Sequence, residues 1–185
     1  MNTTKRISSI SPSLTLAITA KAKAMKAEGK SVIGFGAGEP DFNTPQHIID
    51  AAKEALDKGY TKYTPSSGLP QLRKKIAEKL KEEQGLDYDF SQIIVSSGGK
   101  HAIFNAMFAL VEDGDEVIIP APYWLTYPEV VKICGGTSVF IEGHKENHFK
   151  ITPEDLKNAI TPKTKMLIFN SPSNPTGAVY TEEEI

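Results

Sequence analysis

The chain has 185 residues, of which 39% are apolar and 24% charged, and its formal net charge is −2. This composition is typical of a soluble globular protein with a substantial core, and it argues against disorder, nucleic-acid binding and attachment to anionic membranes. The single cysteine, Cys134, excludes an internal disulfide and favours a reducing compartment. We therefore expect a cytoplasmic protein without nucleic-acid or membrane partners.

The first half of the chain predicts three helices and one short strand. Apolar residues recur at helical spacing in three segments, and a glycine directly follows each of them. The predicted helices cover residues 13–28, 45–58 and 70–84, and the predicted strand covers residues 31–36. At the second helix, Thr44 is the expected N-cap and Pro45 the expected first helical residue.

The second half alternates between short apolar runs and helical segments. Strands are expected at residues 93–95, 117–119, 138–141 and 166–169, and helices at residues 100–111, 126–134 and 153–160, with another helix beginning at 181. This alternation predicts a mainly parallel sheet covered by helices on both faces, which is a three-layer α/β/α fold. Because the last helix is cut within its first turn, we expect the chain to be part of a longer protein.

The loop after the run at 93–95 has the composition of a phosphate-binding turn. Ligands of open α/β sheets bind beyond the carboxyl ends of the strands. There, Gly98 and Gly99 let a ligand approach the backbone, and the helix that follows presents free N–H groups beside the positive charge of Lys100. The alternative is an ordinary tight turn between a strand and a helix.

Two further strand ends carry side chains suited to a flat ring. Trp124, the only tryptophan, follows one strand and is either a stacking platform or a core residue. Asn174 follows another strand, within a proline-rich loop, and is either a hydrogen-bonding group for a ligand or a turn residue. The four histidines show no metal-ligand spacing, so no metal site is expected. Together the three strand ends predict a phosphorylated aromatic cofactor.

Five segments stand in order along the chain: GAGEPDF at 36–42, KYTPSSG at 62–68, SGGK at 97–100, PYWLTY at 122–127 and NSPSNPTG at 170–177. In this order they resemble the motifs of the class I aminotransferases of fold type I, which use pyridoxal 5'-phosphate. The chain is most similar to the bacterial aspartate aminotransferase subgroup. This resemblance implies an N-terminal arm and small-domain segment at residues 1–44, and the first part of the cofactor-binding large domain at residues 45–185.

The resemblance also implies roles for individual residues. The backbones of Gly99 and Lys100 would hold the cofactor phosphate, and Trp124 would stack on the pyridine ring and contact the substrate. Asn174 would bind the phenolic oxygen of the ring and lie near the substrate carboxylate. The Lys100 side chain would meet the distal carboxylate of a dicarboxylic substrate. Gly38 would contact the substrate. In a homodimer, Tyr63 would contact the partner's cofactor phosphate.

The family's catalytic Schiff-base lysine, its pyridine-binding aspartate and its carboxylate-binding arginine have no counterpart among these 185 residues. No catalytic residue is therefore expected in this segment, and the segment alone should be inactive. The whole protein is expected to move an amino group between aspartate, or another acidic amino acid, and a 2-oxo acid such as 2-oxoglutarate. The alternatives are an aromatic or prephenate aminotransferase, or a non-catalytic binding protein such as a truncated relative or a transcription regulator.

Overall fold

In a computed structural model, which describes residues 2–36 and 38–185, the chain divides into two units. The first unit contains the N-terminal residues up to Ser13 together with residues 98–185, and the second contains residues 14–97. The domain boundary expected at residue 44 from the resemblance stays a prediction.

The described residues form seven α-helices, three 3₁₀ turns and three strands. The helices are α1 Lys5–Ser8, α2 Leu14–Ala27, α3 Gln46–Asp57, α4 Pro70–Gln84, α5 Gly99–Leu110, α6 Thr126–Ile133 and α7 Pro153–Ala159. The strands are β1 Glu116–Ala121, β2 Thr137–Glu142 and β3 Thr164–Leu167, and the 3₁₀ turns are Phe90–Gln92, Lys145–Asn147 and Glu182–Glu184. No helix in the described part of the chain is long and apolar enough to cross a bilayer.

The predicted helices are confirmed to within one or two residues at most ends, because their end signals act locally. At the end of α4, Gly85 adopts the left-handed conformation with φ +69°, and its N–H donates to the Lys81 carbonyl at 3.1 Å. The next N–H, of Leu86, donates to the Leu80 carbonyl at 3.2 Å, so two orphan carbonyls are satisfied.

Three sequence-based expectations are wrong. Residues 31–36 and 93–95 are not strands, although their composition favours strands. In the second segment, the Val95 N–H donates to the Ser67 carbonyl at 3.0 Å, which is a single bond to a loop rather than a ladder. Strand composition forms a strand only where a partner lies alongside. At α3 the helix begins at Gln46, with Pro45 rather than Thr44 at the cap and no side-chain cap hydrogen bond.

The three strands form one parallel sheet in the order β2-β1-β3. The sheet lies entirely in the first unit, with α6 connecting β1 to β2 and α7 connecting β2 to β3. Because the strands are parallel, their carboxyl ends lie at one edge, and the loops that follow β1 and β3 leave from that edge side by side. The expected α/β architecture with a parallel sheet is confirmed.

The central strand β1 is buried on both faces. Val117 and Ile119 point to one face and Ile118 to the other, and all three are 0% exposed. The first face packs against α5 and α6 through Met107, Val111, Tyr127, Val130, Val131 and Cys134. The second face packs with Ile141, Ile151 and the α7 residues Leu156 and Ala159. Each such side chain contributes about 1.5–3 kcal/mol on burial, so both helical layers depend on this strand.

The N-terminal segment of the first unit is fixed to α6 by polar contacts. The Lys132 ammonium donates to the Ser9 carbonyl at 3.1 Å, and the Ser11 N–H donates to the Glu129 carboxylate at 3.1 Å. Lys132 and Glu129 also form an ion pair at 3.4 Å along the helix. These bonds explain why the first residues group with residues 98–185 rather than with α2.

The turn after β2 should not tolerate a side chain at Gly143. A Cβ there would lie 2.2 Å from the Phe149 carbonyl oxygen and 2.7 Å from the Ala121 carbonyl oxygen, and backbone atoms cannot move aside separately. We expect Gly143→Ala to lower the free energy of unfolding by about 1–3 kcal/mol, measured by urea titration. Gly99→Ala is the matched control, since a Cβ there meets nothing within 4 Å. Equal stability of the two variants would contradict this prediction.

Candidate functional site

The start of α5 forms an open, polar end of the first unit. Gly98 is the N-cap of this helix with φ +86°, a conformation that favours glycine, and no side chain caps the helix there. A Cβ added to Gly98 or Gly99 would meet nothing within 4 Å. The helix N-terminus carries partial positive charge. The space next to these two glycines is therefore open to an anionic group.

Lys100 and Trp124 come together across the gap between α5 and the end of β1. The Lys100 ammonium lies 5.4 Å from the centroid of the indole, and its side chain is exposed. The indole is half-buried and packs against the core. Trp124 can therefore be a core residue and still offer part of its ring for stacking. One aromatic side chain thus joins the core to an exposed positive charge.

Tyr127 supports the indole from within α6. Its ring meets that of Trp124 edge-on, with centroids 5.6 Å apart and an interplanar angle of 85°. Tyr127 is only 7% exposed, and burial raises the pKa of its phenol above the ordinary value. It therefore remains a neutral phenol at physiological pH. The orientation of Trp124 is set by a buried neighbour rather than by solvent.

The loop that carries Asn174 is closed by its own hydrogen bonds. The Asn174 N–H donates to the Asn170 side-chain oxygen at 2.9 Å. The Ser173 N–H donates to the Ala178 carbonyl and the Gly177 N–H to the Ser173 carbonyl, both at 2.8 Å. Gly177 has φ +73°, which explains the glycine at this turn. These bonds use the backbone, and the Asn174 side chain is left exposed.

A shallow cavity lies where this loop meets the end of β1. Tyr123, which follows β1, lines one side of it, and Asn170, Asn174 and Tyr180, which follow β3, line another. Phe149, from the turn after β2, also lines it. The sequence did not single out Asn170 or Tyr180 as site residues. Asn170 stands at the first position of the NSPSNPTG segment, which is a usable signal, whereas nothing around Tyr180 in the sequence indicates a site.

Gly38 and Tyr63 lie in the second unit, and both are exposed. Ala37, which precedes Gly38 in the GAGEPDF segment, lies outside the described residues. The roles expected for these two residues stay predictions. The first unit accounts for the other predicted site residues, namely Gly99, Lys100, Trp124 and Asn174.

The start of α5 and the end of β1 offer a helix N-terminus, a cation and an aromatic face, and the loop after β3 offers a carboxamide. Across residues 2–36 and 38–185, no three His, Cys, Asp or Glu side chains are placed to hold a metal ion. Such a set is suited to an organic ligand with an anionic group and a flat ring.

Comparison with known proteins gives the chain a family. The profile described as aminotransferase class I and II matches residues 30–185. Over its whole length the chain is 61% identical to aspartate aminotransferase of Bacillus subtilis (strain 168) and covers 47% of that protein. It is also 57% identical over 179 residues to the probable aspartate/prephenate aminotransferase of Rhizobium leguminosarum bv. phaseoli, covering 97% of this chain and 45% of that one.

A solved structure of similar shape is that of aspartate aminotransferase from Thermus thermophilus with maleate. The TM-score is 0.96 at 46% identity, and the match covers 99% of this chain and 48% of the Thermus chain. The chain therefore spans about half the length of the curated relatives and solved structures that it matches.

Proposed function

The chain belongs to the class I and II aminotransferases, and from this premise we propose that the protein transfers an amino group between aspartate and a 2-oxo acid such as 2-oxoglutarate. Pyridoxal 5'-phosphate is the proposed cofactor. The observation that carries the proposal is the Lys100 ammonium 5.4 Å from the Trp124 ring, next to an uncapped glycine start of a helix. The high identity to aspartate aminotransferases supports the substrate class.

The residues present fit this cofactor. The space around Gly99 and the N-terminus of α5 suit a phosphate, and Lys100 adds a positive charge. The half-buried indole of Trp124 suits a pyridine ring, and the exposed carboxamide of Asn174 can donate to a phenolic oxygen. When bound, the cofactor supplies an electron-withdrawing ring that stabilises negative charge on the substrate carbon. The roles of these residues are to hold the phosphate, orient the ring and bind the substrate carboxylate.

Lys100 is the proposed determinant of the dicarboxylic substrate. Its ammonium is exposed and lies over a neutral ring, and no carboxylate in the described part of the chain forms an ion pair with it. A distal carboxylate that reached it would form a charge-assisted hydrogen bond. Trp124 and Asn174 would complete the substrate site.

The remaining parts of the proposal concern the whole protein. A homodimer is proposed, in which the exposed Tyr63 reaches the partner's cofactor phosphate and Gly38 contacts the substrate through its backbone. The division at residue 44 into a small-domain segment and a large domain is proposed as well, and so is a cytoplasmic location. The catalytic lysine is proposed to lie in the part of the family's length that this chain does not match, since the chain covers 47% of the Bacillus subtilis relative.

A prephenate or aromatic aminotransferase is the second candidate. Its support is the relative from Rhizobium leguminosarum, which is named for both aspartate and prephenate. The two candidates share a cofactor and differ in what Lys100 contributes.

Gly99→Ala should weaken cofactor binding without unfolding the protein. The added methyl group would occupy the space proposed for the phosphate, and it would contact no protein atom within 4 Å. We expect the dissociation constant for pyridoxal phosphate to rise about tenfold or more, roughly 1.4 kcal/mol, in titrations of the protein expressed from its complete reading frame that follow the absorbance of the bound cofactor. Gly34→Ala, which also meets open space, is the control. An unchanged affinity in Gly99→Ala would rule out this phosphate site.

Lys100→Ala should separate the two candidate substrate classes in the protein expressed from its complete reading frame. Loss of a hydrogen bond to a charged group costs about 1.5–3 kcal/mol, so kcat/KM for aspartate should fall about 10–100-fold. Activity with an aromatic amino acid should remain within about twofold, because no distal carboxylate is involved. Lys157→Ala, an exposed position on α7, controls for loss of surface charge. Equal losses for both substrates would disprove the distal-carboxylate role.

A polypeptide of residues 1–185 alone should not transaminate. It contains none of the lysine, aspartate and arginine positions that the family uses for the chemistry. Aspartate and 2-oxoglutarate mixed with this polypeptide and pyridoxal phosphate should give no oxaloacetate above the rate without protein. Turnover that persists through rigorous purification, and that co-elutes with the polypeptide, would refute this prediction.

A further inference from the structure

Lys150 is buried although it carries a charge. It is 8% exposed, and with Arg73 it makes up the buried charged residues in the described part of the chain. Its ammonium forms an ion pair and hydrogen bond with Glu184, and it lies 5.7 Å from the centroid of the Tyr180 ring. Because an ammonium buried without a partner is costly, these two contacts must persist for Lys150 to stay inside.

The partners of Lys150 lie at and just beyond the end of the loop that carries Asn174: Tyr180 is its last residue, and Glu184 follows it. The bond from Lys150 holds the pKa of the Glu184 carboxyl below its ordinary value, so the carboxylate is charged at neutral pH. Glu184 also accepts a hydrogen bond from the Thr181 N–H at 2.8 Å. The ion pair therefore ties the chain immediately after Tyr180 to the turn that follows β2.

Tyr180 is anchored on three sides. Its hydroxyl oxygen accepts a hydrogen bond from the Ile151 N–H at 2.8 Å, and its own N–H donates to the Ser171 hydroxyl at 3.1 Å. Its ring packs against Phe169, with centroids 4.7 Å apart. Phe169 and Ser171 begin the Asn174 loop, and Tyr180 ends it. Both ends of the loop are thus held at one point.

We propose that Lys150 is a positioning residue that, through Glu184 and Tyr180, holds the loop of residues 169–180 and so places Asn174 at the carboxyl edge of the sheet. The effect of this placement on the cofactor rests on the proposed function, whereas the effect on the loop does not. Lys150 lies far along the chain from Asn174 and acts only through these neighbours.

Amide hydrogen exchange without cofactor tests the effect on the loop, using the protein expressed from its complete reading frame. The amides to follow are the hydrogen-bond donors of the loop: Ser173, Asn174, Gly177, Ala178 and Tyr180. In Lys150→Met we expect them to exchange about tenfold faster, with β1 unchanged, since local opening is cheaper than global unfolding. Glu184→Gln, at an exposed site, should act in the same direction if Lys150→Met folds poorly.

Two comparisons make the exchange result specific. Lys150→Arg keeps the charge and should restore slow exchange, and Lys157→Met should leave exchange as it is in the unaltered protein. Unchanged exchange of the loop in Lys150→Met, or equal acceleration across β1, would overturn the proposal. The second outcome would mark Lys150 as a residue of general stability.

A cofactor titration tests the consequence for Asn174 and has a readout other than activity. We expect Lys150→Met to weaken binding of pyridoxal phosphate about threefold to tenfold, and to add less than about twofold in an Asn174→Ala background. A purely structural role would give the same loss in both backgrounds and would overturn the link to Asn174. If the unaltered protein bound no pyridoxal phosphate, the proposed function would fail while the exchange experiment still decided the role of Lys150.

Discussion

The burial of β1 from both sides is the constraint on which the first unit depends. Val117, Ile118 and Ile119 are completely buried, so both faces of this strand must be covered by apolar surface. The α5 and α6 side covers one face and the α7 side covers the other. A strand covered in this way has no room for solvent on either side, and it therefore occupies the centre of the sheet. The strands β2 and β3 pair with its two edges.

The site is a consequence of this packing. Met107 of α5 and Val111, which directly follows the helix, belong to the same cluster as Val117 and Ile119, so the apolar end of the helix fixes where its glycine start lies. Trp124 follows the last residue of β1 after two intervening positions, and a connection this short leaves it little freedom. The polar groups of the site are thus placed by apolar contacts on the opposite side of the same elements.

Two lysines differ in burial, and their proposed roles differ with it. Lys100 is exposed and its ammonium lies over the face of an indole, and no carboxylate among the described residues pairs with it. Lys150 is buried and paired with Glu184, and its charge is already used within the protein. Both lie over an aromatic ring at a similar distance, so the ring contact alone does not distinguish them. The distinction lies in the carboxylate partner and in access to solvent.

The sequence by itself determined most helices and the parallel α/β class, because helix ends and glycine-rich turns are encoded by neighbouring residues. It did not predict α1, and the helix expected to begin at 181 is a 3₁₀ turn at Glu182–Glu184. The site proposed on the loops stays a prediction. The strands at 117–119, 138–141 and 166–169 were predicted correctly within a longer observed range or a small shift. Those at 31–36 and 93–95 were not, since a strand requires a partner that no local pattern specifies. Only the tertiary structure decided that Trp124 lies under Lys100, that Asn170 and Tyr180 border the Asn174 loop, and that Lys150 is inside. Each of these depends on contacts between residues far apart in the chain, and their energies arise only when the core around β1 has formed.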